Sequence, residues 1–170
     1  MTSAAYDARA VANFILDRAD EDRLPLTQLA LLKIIYFAHG WYLAAKDKPL
    51  VSQPVEAWKY GPVIKVVRDA FKEFGKKPIT GRAERLVLST GEFRLVEANI
   101  EPEDAEFIVN VYRTYRDFDA LELSDLTHAS NSPWDRVWNP RSASGGLGLR
   151  IKNDDIRSYF LTLKSAAPVH

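Results

Sequence analysis

The chain has 170 residues, 46% of them hydrophobic and 27% charged, and it contains no cysteine. That is enough for one buried core and too little for two ordinary domains, with a globular rather than a disordered composition. Lysine plus arginine equals aspartate plus glutamate at 23 each, so the formal net charge is zero, which argues against a life spent on phosphate backbones.

The absence of cysteine excludes disulfides, thiolate nucleophiles and cysteine-based zinc sites. The N-terminus shows no basic region followed by an apolar run, so no secretory signal is expected and the expected compartment is the cytoplasm.

Taken in order, Ala8, Val11, Ala12, Ile15 and Ala19 recur at helical spacing. They predict a first helix started by Ser3 or Asp7 and ending near Asp17 to Ala19, with the charged run to Arg23 as a solvated connection. Thr27 is the predicted N-cap of a second helix through Ala45. From Leu29 onward only Lys33, His39 and Gly40 interrupt its apolar residues. A helix apolar all round belongs inside a domain or a membrane. Lys33 and His39 in mid-span, with the turn at Asp47-Lys48-Pro49, favour a buried central helix in a soluble domain.

Gly40 lies seven residues after Lys33 on nearly the same side of that helix. Glycine there costs about 1 kcal/mol relative to alanine, so a close contact is expected, with the Trp58–Tyr60 arm as the candidate. Lys33 must then snorkel to the surface or pair with a carboxylate, because a lone buried ammonium is too costly.

Val55 to Tyr60 reads as a short strand or extended arm bounded by Pro54. Gly61-Pro62 is expected to stop it and open a helix with proline at N1. That helix is amphipathic through Val63, Val66, Val67, Ala70, Phe71 and Phe74, with Gly75 just past its end. Two β-prone runs flanking Ser89 to Glu92 predict a hairpin. Pro102 opens another helix, burying Ile108, Val111, Tyr112 and Tyr115. Ser124 is expected to cap a short helix through Ala129, and Ser132-Pro133 to begin one carrying Trp134 and Trp138. Asn139 to Gly148 should form the longest loop and Leu149 to Ile151 a strand. A final helix, capped by Asn153 or Asp154, should bury Ile156, Tyr159, Phe160 and Leu163. The expected architecture is mainly α (α+β): one domain over residues 4–164 around a buried central helix, with a small antiparallel sheet or hairpin, and residues 165–170 as a flexible tail.

No catalytic, cofactor-binding or metal-binding residue emerges. His39 has no His, Asp or Glu at i±3 or i±4, so helical metal spacing is missing and a hydrogen-bonded core histidine is expected. His170 is terminal. His128 sits among hydroxyls, but no nucleophile elbow accompanies it. Gly145-Gly146-Leu147-Gly148 lacks the Lys-Ser/Thr of a phosphate-binding loop. The basic face Lys65, Arg68, Lys72 and Lys76 is interrupted by Asp69 and Glu73 and reads as solvated.

Two stretches, LALLKIIYFAHGWYLA and PLVSQPVEAWKYGPV, are similar to the SocA-like, or Panacea, domain of bacterial and phage antitoxins. AVANFIL before them and LTHASNSPWDRVW after them fit the same pattern, so the resemblance runs from Ala10 to Trp138. It implies a non-enzymatic antitoxin that binds and neutralises a cognate toxin protein. Two mechanisms are implied: masking of the toxin, or adaptor action that delivers it to an ATP-dependent protease such as ClpXP through ClpX. No cofactor, no membrane and no nucleic acid are expected among its partners. Candidate partner-binding residues are Trp58, Tyr60, Trp134 and Trp138, since aromatic anchors carry much of the energy of protein contacts. The alternative is a nucleic-acid-binding transcriptional regulator, and the third reading is a small hydrolase.

Overall fold

The computed structural model describes residues 4–141 and 149–166. Among these the chain forms seven helices and five short strands. The second helix, α2 (Gln28–Lys46), is the axis: α1 (Ala8–Glu21), α3 (Lys65–Phe71), α4 (Pro102–Tyr115), α5 (Ala120–Thr127), α7 (Asn153–Ala166) and strand β2 (Gly61–Val63) all touch it. This enclosure is why its sequence is apolar on every side. Thr27 Oγ1 caps it by accepting from Ala30 N–H, and Asp47 ends it in the left-handed conformation. Leu32, Ile35 and Phe37 are buried and Trp41 half-buried. No helix of the described residues is long and apolar enough to cross a membrane.

The other two interruptions of α2 are built into the packing. His39 is buried; its Nε2–H donates to Asn153 Oδ1 at 2.9 Å, and the Val51 amide points at Nδ1 from 3.4 Å. It is the hydrogen-bonded core histidine expected, and burial holds its pKa below the ordinary value. At Gly40 an added Cβ would lie 2.3 Å from the Phe160 ring. The close contact predicted there exists, but α7 makes it and the Trp58–Tyr60 arm does not. The arm crosses α2 two turns earlier, at Lys33, which neither reaches the surface nor pairs with a carboxylate: it is fully buried and its Nζ donates to Pro62 O at 2.9 Å.

Strand β1 (Val55–Trp58) is the middle of a three-stranded antiparallel sheet, between β2 and β5 (Leu149–Ile151). Pro62 is therefore not the first residue of a helix: it lies in β2, paired with Ala57, and α3 starts at Lys65. An edge strand tolerates proline for the same reason a helix N-terminus does, since the missing N–H leaves no partner short. Three other boundaries move. α1 runs on to Glu21, with Asp7 as its N-cap. α5 starts at Ala120 under a capping box formed by Asp119 and Glu122, which leaves Ser124 inside the helix. α3 ends at Phe71 and passes into a 3-10 turn over Lys72–Phe74 before Gly75. α6 (Pro133–Arg141) begins as expected, with Ser132 Oγ accepting from Asp135 N–H. α7 extends to Ala166; Ser3, the glycine-rich segment over 145–148 and His170 lie outside the described residues.

A second sheet stands apart from the first. β3 (Glu84–Val87) and β4 (Glu92–Leu95) form the expected hairpin. Its base is fixed by the buried Asn13 of α1. That side-chain amide donates to Ala83 O and Val96 O at 3.1 and 2.9 Å, and its oxygen accepts from Ala83 N–H at 2.8 Å. Arg82 adds ion pairs to Asp17 and Asp20 of α1.

Candidate functional site

The predicted site residues converge on one end of the three-stranded sheet. Trp134 donates its indole N–H to Trp58 O at 2.6 Å, stacks on His128 with ring centres 4.0 Å apart, and lies 5.9 Å from the Trp138 ring. Arg68 of α3 lies over the outer face of Trp58, 5.3 Å from its centre, and the Trp58 indole donates to Glu56. Ser124 Oγ donates to Tyr60 O at 2.7 Å, fixing the turn that carries Tyr60 outward. Exposure separates the four aromatics. Trp134 is 6% exposed and belongs to the core, Trp58 and Trp138 are half-buried, and Tyr60 is 61% exposed.

Beneath the turn lies a polar knot. Lys33 is fully buried and its pKa falls from 10.5 to about 7 through burial alone. Gly61, at φ 112°, leaves it room: a Cβ there would meet Thr127 Oγ1 at 2.6 Å and Lys33 Cε at 3.0 Å. Both the positive φ and the space demand glycine. His128 is likewise held below its ordinary pKa, by burial first and by Lys33 second.

The hydroxyls around His128 are committed elsewhere. Ser124, Thr127 and Ser132 each donate to a backbone carbonyl, those of Tyr60, Ser124 and Thr127 respectively. A serine activated for attack has its proton directed at a base, and these three are directed at main-chain oxygens. The described residues contain no group of three or more His, Asp or Glu placed to hold a metal ion. A shallow groove of about 450 Å³ between α2, α4 and α7 is lined by Trp41, Ala44, Phe107, Val111, Tyr115 and Lys164, an apolar surface without an acid–base pair. On α3, Lys65 pairs with Asp69 at 2.5 Å and Arg68 is shared between Asp69 and Trp58. Two cations of the basic face are thus already occupied.

Sequence reasoning did not single out the hairpin as a functional surface. Leu86, Leu88, Phe93 and Leu95 on it are between 47% and 89% exposed. Their alternation with charged residues was visible, but which face would find cover was not.

The geometry thus sets an aromatic arm against a buried helix, pinned through Pro62 O and Trp58 O, with Tyr60 displayed outward. The family model for the antitoxin SocA-like, Panacea domain matches residues 31–135, which run from the first turn of α2 through the arm and the hairpin to the start of α6. The chain belongs to that family of toxin–antitoxin proteins. It is similar to Antitoxin SocA of Caulobacter vibrioides, strain NA1000 / CB15N: 40% identical over 165 residues, covering 97% of this chain and 88% of the relative. No solved structure matches the chain.

Proposed function

We propose that this protein neutralises a cognate toxin by binding it directly, and that it acts as an adaptor handing the bound toxin to an ATP-dependent protease such as ClpXP. The observation that carries the reading is the 40% identity to an antitoxin along almost the whole chain. The engaged hydroxyls around His128 support a role without catalysis, and the zero net charge supports a protein partner over nucleic acid. The absence of cysteine fits a reducing cytoplasm.

Tyr60 is the proposed anchor on the arm, with the half-buried Trp58 and Trp138 as further contacts, while Trp134 holds the arm in place from within. Large aromatic side chains with few rotors are the residues on which protein interfaces concentrate their energy.

The test uses the protein encoded next to this one, co-expressed and purified. Calorimetry should show a stable complex, and Tyr60→Ala should weaken it by about 2 kcal/mol while circular dichroism stays unchanged. Toxin half-life followed with and without the protease separates the two modes: adaptor action shortens it only when both protein and protease are present. Neutralisation that persists in protease-deficient cells would reduce the mechanism to masking, and failure of the neighbouring product to bind would remove the antitoxin reading.

A further inference from the structure

The β3–β4 hairpin presents two chemically different faces. Directly paired residues share a face of a sheet, as do residues two apart along a strand. The pairs Leu86–Phe93 and Glu84–Leu95 therefore place Leu86, Phe93 and Leu95 on one side, with Leu88 exposed at the turn. The pairs Arg85–Arg94 and Val87–Glu92 occupy the other. These four side chains are between 47% and 89% exposed, and the largest apolar patch on a soluble protein is often functional.

On the opposite face two arginines stand directly across from each other, an arrangement that opposes strand pairing unless an anion lies between them. Glu92 reaches Arg94 only at 3.5 Å, and Arg85 has no ion-pair partner among the described residues. The sheet holds two strands, so each has an open edge. A two-stranded sheet is marginal in water, and a third strand is the usual remedy. The Asn13 clamp and the Arg82 ion pairs nevertheless hold the hairpin in one position on α1, so little conformational freedom would be lost on binding.

We propose that this hairpin is a docking element for the toxin, which adds one of its own strands to an open edge. The inference rests on the antitoxin reading. An added strand alternates its side chains between both faces, so the occupant's chemistry follows: apolar residues beside Leu86 and Phe93, alternating with carboxylates beside Arg85 and Arg94. A second copy of this chain fits less well. It would bring arginines rather than carboxylates up to Arg85 and Arg94, and edge pairing of two copies would put both apolar faces on one side, uncovered.

The experiment takes the complex with the neighbouring gene product. Leu86→Ser/Phe93→Ser and Arg85→Glu/Arg94→Glu should each weaken binding at least tenfold, with circular dichroism and melting unchanged because these side chains are exposed. Hydrogen exchange should show new protection of outward amides along β3 or β4 in the complex. Carboxylate-to-lysine changes on the toxin strand should rescue Arg85→Glu/Arg94→Glu. A complex that forms but ignores both double variants overturns the hairpin and leaves the antitoxin reading standing; no complex with the wild-type chain removes both. A wild-type dimer in sedimentation that Phe93→Ser dissociates would assign the face to a second copy. Variant-sensitive binding to phosphatidylglycerol vesicles would assign it to a membrane. Either result overturns the toxin assignment.

Discussion

Lys33 is the residue whose chemistry is furthest from ordinary. Its ammonium has one partner, a carbonyl, and no carboxylate. An unpaired buried charge is expensive, so the folded state favours the neutral amine near neutrality. The consequence for stability has a definite sign. Between about pH 7 and 10.5 the unfolded chain holds a proton at this site that the folded chain lacks. Unfolding therefore takes up a proton, and stability rises with pH through that window, by up to about 1.4 kcal/mol per unit. Below it both forms are protonated and the penalty is complete. His128, also depressed, acts in the same direction but below its ordinary pKa of 6.5. The buried tyrosines Tyr36, Tyr42 and Tyr112, all raised, act only above pH 10 and in the opposite direction. Urea unfolding between pH 7.5 and 9.5 should thus show stability climbing, and Lys33→Met should flatten the climb. An unchanged slope in the variant would show that the amine titrates normally.

At the level of elements, the contact between α2 and α7 is the most extensive in the fold, and Gly40 lets Phe160 lie against the helix backbone. Gly40→Ala would raise helix propensity by about 1 kcal/mol. The new methyl group, however, lands on the ring of the fully buried Phe160, which Tyr36, Phe37, Trp41 and Tyr159 surround. Overpacking of that kind costs about 1–3 kcal/mol, so the variant should melt at lower temperature. Gly40→Ala/Phe160→Leu should recover part of the loss, and a calorimetric double-mutant cycle measures the coupling.

The same elements show what the sequence could disclose. α2 was legible because its apolar residues leave no polar side, and the hairpin because two β-prone runs bracket a turn. Pro62 was misassigned because a helix start and an edge strand forgive proline alike, and only the pairing with Ala57 decides between them. The true cap of α5 is written in the sequence as Asp119 followed three residues later by Glu122, two reciprocal hydrogen bonds that outweigh the single hydroxyl of Ser124. For the candidate site, composition marks aromatics but cannot say which are covered. Trp134 and Tyr60 look equally suitable in sequence, and only the fold buries one and displays the other.

Across the whole molecule, the N-terminal segment is stitched to distant parts. Tyr6 and Tyr42 both donate to the buried carboxylate of Asp104, at 2.6 and 2.9 Å, joining the start of the chain, α2 and α4. The C-terminal quarter is stitched in as firmly, through β5 on β1, Phe160 against Gly40, and Asn153 on His39. A chain ended after Arg141 should lose cooperative unfolding and be cleaved rapidly in limited proteolysis. Retention of a sharp thermal transition would show that residues 1–141 are sufficient.

The pairing of β1 with β5 also sets a schedule. Ala57 leaves the ribosome about 90 residues before Leu149, its partner across the sheet. At 5–20 residues per second the nascent chain waits roughly 5–20 s with one edge of β1 open and the Phe160 slot on α2 empty. During that interval the aromatic arm has only β2 to hold it on the sheet side, and a protease meets an unfinished protein. Until Leu149 is made, β1 therefore lacks its second partner, and the sheet that carries the arm closes only after the helices α3 to α6 have already emerged.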